Sequence, residues 1–168
     1  SALKSKDIGQ SIKLGWEAIT NTSKAFKTPV TKSKNMQEIA NQISGGKIKV
    51  TREPWANSEM HVLRHEGGAS IVVRRVKRKG KRDRLSVNSM NAKRVKGFGY
   101  SAYQILMDYA AANNMQYKPD SQLSFVNQMR SISAMFSSAL KHKSTDHLKL
   151  GSDQIFSHGD RKKFGKNY

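Results

Sequence analysis

The chain contains no cysteine, which excludes disulfides, thiolate metal sites and a cysteine nucleophile. Apolar residues make up only 36% of it and aromatic residues 8%. No run of about 18 apolar residues occurs, so no helix is expected to span a membrane. Acidic side chains are scarce, 12 against 31 lysines and arginines, which leaves a formal net charge of +19. An excess of that size points to a polyanionic partner, DNA or RNA before an anionic lipid surface. The N-terminus has no apolar core after its lysines, so no secretory leader is expected and the location expected is cytoplasmic.

Metal and hydrolase chemistry find no support in the sequence. His61 and His65 fall on one predicted strand, where a four-residue spacing separates them by about 13 Å, too far to share an ion. Serine and aspartate occur without a nucleophile elbow, so no metal site and no hydrolase centre is expected.

What is present reads as an α+β chain. The spacing of Ile8, Ile12, Trp16, Ile19 and Phe26 predicts a helix over about 7–27, with Trp16 as a packing anchor. A second helix is expected from Asn35 to Ser44, capped by Ser33 and stopped by Gly45-Gly46. The period then becomes alternating. Strands are expected over 47–52, 60–65, 69–78 and 82–90, forming an antiparallel meander of about four strands. Glycines turn the chain between them, and Lys79-Gly80-Lys81 closes a tight hairpin. Ala102, Ile105, Leu106, Tyr109 and Ala110 mark a helix from Ser101 to about Asn113, with Asn114 as C-cap. Met115 to Lys118 predicts a fifth strand, parallel to the fourth because a crossover helix joins them. A last helix runs to about Lys141 on Phe125, Met129, Ile132, Phe136, Ala139 and Leu140. The organisation expected is an N-terminal helix and linker over 1–33, a core over 34–143 and a basic tail over 144–168.

Two stretches carry chemistry. The first is Arg94-Val95-Lys96-Gly97-Phe98-Gly99, between a strand and a helix. Glycines at a helix mouth let main-chain N–H groups face a ligand, and the helix dipole favours an anion there. Such a pair also serves as an ordinary tight turn. The second is the hairpin 74–84, where eight of eleven residues are basic: Arg74, Arg75, Lys77, Arg78, Lys79, Lys81, Arg82 and Arg84. Alternation sends these side chains to both faces, so they cannot all enter a core. A narrow basic ribbon suits phosphate tracking or a major groove. Lysines on an edge hairpin also guard against aggregation, which accounts for two or three such charges.

Arg94-x-x-Gly97-x-Gly99 resembles the (Arg/Gln)-x-x-Gly-x-(Gly/Ala) signature of the GNAT N-acyltransferase superfamily, and the element order from Asn35 to Lys141 is similar to that fold. The resemblance implies an acetyl-coenzyme A pyrophosphate held at Arg94, Val95, Lys96, Gly97, Phe98, Gly99, Tyr100 and Ser101. Asn127 would join from the last helix. The segment from Asn127 to His142 further resembles GNAT-like segments in large polyvalent proteins of phages and conjugative elements. Family enzymes often use a glutamate on the fourth strand and a tyrosine on the last helix; this chain has Ser86, Asn88 and Ser89, and Phe136, in those regions. The resemblance therefore leaves Glu66, His65 and His61 as candidate bases and Tyr103 and Tyr117 as candidate acids. Two functions stand open: an acyltransferase acting on a nucleic acid or a nucleic-acid-bound acceptor, and a non-catalytic nucleic-acid-binding module of phage or mobile-element origin.

Overall fold

The structure, a computed structural model, describes residues 5–27, 29–55, 58–119 and 125–149. Its elements follow the order α1 (Ser5–Lys27), α2 (Met36–Ser44), β1 (Ile48–Trp55), β2 (Ser58–His65), β3 (Ser70–Arg78), β4 (Lys81–Asn91), α3 (Phe98–Ala112), β5 (Gln116–Lys118) and α4 (Phe125–His142). The strands form one mixed sheet in the order β1-β2-β3-β4-β5. Each pairing is antiparallel except β4 with β5, which is parallel, as the crossover through α3 requires.

Alternation along the strands sorts the two faces of the sheet. Ile48, Leu63, Ile71, Val73, Leu85, Val87 and Tyr117 point to one face, and all are buried in a core shared with α2 and α3. On the other face lie Lys49, Thr51, Met60, Arg64, Val72, Arg74, Ser86 and Lys118, with their register neighbours. Among the described side chains of that face only Val62 is buried; the others are exposed or partly exposed. A bulge in β4 at Asn88, where Val72 pairs Ser89 but Val73 pairs Val87, resets the alternation so that Met90 returns to the core side.

Helix α3 is the middle layer. Eight of its nine residues from Ala102 to Ala110 are buried, because the sheet covers one side and α4 the other. Gln104 Nε2 donates to the Ala134 carbonyl at 3.2 Å. Asp108, with a side chain only 1% exposed, accepts from Lys141 Nζ at 2.9 Å and pairs with His142 Nε2 at 2.7 Å. Burial pushes the Asp108 carboxyl up, but the bonds from His142 and Lys141 outweigh it and hold it below its ordinary value. Beside this pair, Ser138 Oγ lies 2.7 Å from His147 Nε2, both groups being buried.

Several boundaries differ from the sequence reading. Asn35 caps α2, its Oδ1 accepting from Glu38 N at 3.0 Å, while Ser33 accepts from Asn35 N one step earlier. Strand β1 runs through Pro54, which an edge strand tolerates. Helix α3 starts at Phe98, three residues before Ser101, and ends at Ala112 with Asn113 as its C-cap, Asn114 turning the chain at φ +53°. The expected break after residue 143 is crossed by packed chain. Tyr117 N donates to the His147 carbonyl and Lys149 N to the Tyr117 carbonyl, both at 2.8 Å. Leu148 is 4% exposed.

The largest correction concerns which stripe of α1 and α4 is buried. Ile12, Trp16 and Ile19 are 68%, 71% and 65% exposed, and Phe136 is 67% exposed. Trp16 is therefore no packing anchor. Helix α4 instead turns Gln128, Ser131, Ala134, Met135 and Ser138 inward. Small side chains allow close approach to an already crowded α3, and the hydroxyls find partners in Tyr117 and His147. Helix α1 meets α4 through Glu17 and Arg130, 3.2 Å apart.

The buried histidines make stability pH-dependent. Burial lowers His147 to about 4 from 6.5, and burial also lowers His61. A base whose folded value is depressed contributes stability that is complete above the unfolded value and lost as pH falls toward the folded one. The thermal midpoint should therefore hold above pH 6.5 and fall between pH 6.5 and 4, with His147 contributing about 3 kcal/mol. Thermal melts across that range for the natural chain and for His147→Gln check this: the variant should show the shallower fall.

Candidate nucleic-acid interface

The hairpin forms where expected, with Arg78 paired to Lys81 across a two-residue turn and Gly80 at φ +70°. Its eight basic side chains separate into two groups. Four are engaged or partly buried within the fold. Arg75 pairs with Asp83 at 2.8 Å and Arg82 with Asp146 at 2.7 Å. Arg78 donates to the Arg82 carbonyl at 2.9 Å. Arg84 is partly buried. The other four, Arg74, Lys77, Lys79 and Lys81, are exposed and form no ion pair among the described residues. Folding thus locks part of the charge and leaves a four-cation tip. Beside that tip is an open cleft of about 510 Å³ lined by Gly80, Lys81, Arg82, Asp83, Asn113, Asn114 and Met115.

The glycine stretch is the N-terminus of α3. Gly97 takes the left-handed conformation at φ +79° as the N-cap, with no side-chain cap bond. Lys93 and Arg94, at φ +38° and +60°, precede it. Val95 N donates to the Ala92 carbonyl and Phe98 N to the Val95 carbonyl. The N–H groups of Gly99 and Tyr100 take no main-chain acceptor among the described residues. Arg94, Lys96 and Gly97 are exposed and Ser101 partly so. Phe98 and Tyr100 turn their side chains into the core. The Asn127 side chain lies outside the described part.

The candidate acid and base residues do not converge. Glu66 is exposed in the turn after β2. His65 Nδ1 accepts from Gly67 N at 2.9 Å, and its ring sits edge-on to Phe98 at 6.1 Å. His65 and Glu66 line a second cleft of about 590 Å³ with Gln37, Lys47, Lys49 and Arg64. Neither cleft is lined by residues 94–101. Tyr103 is 1% exposed, its hydroxyl 3.9 Å from Met90 Sδ. His61 and Tyr117 are also buried. Among the described residues no cluster could hold a metal ion, and no helix is long and apolar enough to cross a membrane.

The model of the family described as large polyvalent protein associated domain 37 matches residues 15–165, nearly the whole chain. The chain belongs to that family. The likeness to polyvalent proteins of phages and mobile elements is borne out at that level. No curated protein and no solved structure matches this polyvalent-protein domain. Sequence reasoning missed three further cations, Lys49, Arg64 and Lys118, which the domain sets on the sheet face shared with Arg74. The signal available was the strand alternation that put the hairpin side chains on two faces.

Proposed function

We propose that this polyvalent-protein domain binds nucleic acid without catalysis, and that the hairpin tip is its contact. The supporting observation is the tip itself: Arg74, Lys77, Lys79 and Lys81 stand exposed and form no ion pair among the described residues, on a chain of net charge +19. Contacts from flexible cations to phosphate give affinity without base preference. Fluorescence anisotropy with a labelled oligonucleotide tests this. The variant Lys77→Glu/Lys79→Glu/Lys81→Glu should bind at least about ten-fold more weakly than the natural chain in low salt. Equal affinity of the two would exclude the hairpin.

A second reading rests on the mouth of α3. Gly97 opens a 15-residue helix with uncapped N–H groups beside Arg94 and Lys96, an arrangement that favours an anion. It supports a GNAT-like acyltransferase that takes acetyl-coenzyme A at Arg94–Ser101. The dispersal of Glu66, His65 and Tyr103 weighs against it. Calorimetry with coenzyme A discriminates: saturable binding abolished by Gly97→Glu favours the enzyme, and no heat favours the binder.

A further inference from the structure

The outer face of the sheet has a composition that stability does not require. It carries Lys49, Arg64, Arg74, Arg78, Arg84 and Lys118 against one acidic residue, Glu53. Between these cations lie the short side chains of Thr51, Ser70, Val72, Ser86 and Ser89, with Met60, Val62 and Val76 among them. A bare antiparallel face is usual for small domains and needs only polar residues to stay wet. Mixed signs would serve that purpose better than an almost uniform positive charge, which repels itself. The register sets Arg74, Ser86 and Lys118 in one row across β3, β4 and β5, with Glu53 and Met60 continuing it to the other edge. Five strands spaced about 4.8 Å apart, with an offset of four residues at about 3.3 Å along them, put Lys49 and Lys118 roughly 23 Å apart on the sheet. The floor hydroxyls offer donors to phosphate and sugar oxygens, and side chains this short let a ligand approach the main chain.

We infer that this open face is a platform for a single strand of nucleic acid, laid across the sheet and continuous with the hairpin tip through Arg74. The inference rests on the nucleic-acid reading above and adds where the strand lies and which form of nucleic acid is taken. Charge complementarity selects the occupant: a net positive surface of this width needs a chain of regularly spaced negative charges. A flexible strand can meet cations at both margins of a flat floor. A rigid duplex touches a flat surface along one line and reaches one margin at a time. The cations and hydroxyls of this face hold the strand through its sugar–phosphate chain.

The test uses the whole chain and two charge-removed variants. Lys49→Gln/Arg64→Gln/Lys118→Gln strips the face and keeps the tip; the tip variant described above does the reverse. Binding is followed by anisotropy with labelled oligodeoxythymidine, oligouridine and a duplex of equal length, at several salt concentrations. The face variant should lose at least about ten-fold in affinity for both single strands, and its log–log salt slope should flatten by about 2, three contacts at 0.7 each. Thermal melts establish that it is folded, and Arg64→Gln alone decides if the triple variant is not. A face variant that binds like the natural chain while the tip variant fails would overturn this inference and leave the hairpin reading standing. Duplex bound as tightly as single strand would overturn the single-strand assignment. A natural chain that binds no oligonucleotide in low salt would remove the nucleic-acid reading itself.

Discussion

Replacing Asp108 with alanine should cost about 3–5 kcal/mol of stability, a large share of what a domain of this size possesses. The carboxylate sits 1% exposed between α3 and α4 and accepts from both Lys141 and His142, whose side chains are 5% and 11% exposed. Without it, a buried ammonium and an imidazole lose their anion together, and the penalty is the desolvation of an unpaired charge. Lys141→Met should cost less, because His142 still engages the carboxylate and an apolar side chain of nearly the same length fills the site. The double variant Asp108→Ala/Lys141→Met should recover part of the loss. Urea unfolding of the four proteins measures this. An Asp108→Ala protein within 1 kcal/mol of the natural chain would show that the pair contributes little.

That cluster was not legible in the sequence, and the reason is physical. Asp108 and His142 are 34 positions apart, and no local pattern says that α4 will lie on α3. What was legible came from periods. Alternation and glycine turns placed the strands β1 to β4 to within a few residues, and the crossover through α3 set the parallel sense of β5. The basic hairpin was read directly, because eight charges in eleven residues exceed what any core admits. The misreading of α1 and α4 has the opposite origin. Periodicity finds an apolar stripe but does not say whether a neighbour covers it. In α4 the inward side is chosen by Ser131, Ala134 and Ser138, whose small size fits a crowded partner. The Arg94–Gly99 stretch was placed correctly at a strand–helix junction, yet its first helical turn begins at Phe98, so three of the residues expected in a loop are helical.

Affinity for a single-stranded oligonucleotide should fall steeply with salt, and this second large effect follows from counting charges. The four exposed cations of the tip, each displacing a counterion from a single strand, give a log–log slope of about −3, at 0.7 per contact. A four-fold rise in salt, from 50 to 200 mM, then weakens binding by about 50-fold. If Lys49, Arg64 and Lys118 on the sheet face join them, seven contacts steepen the slope to about −5. Neither figure depends on base sequence, so oligonucleotides of different composition should share one line. The most direct test of the account is therefore one titration series: the natural chain against a labelled single strand, from 50 to 200 mM salt. A slope between about −3 and −5, independent of sequence, is the result predicted. A slope flatter than about −1, or no binding at 50 mM, would contradict it.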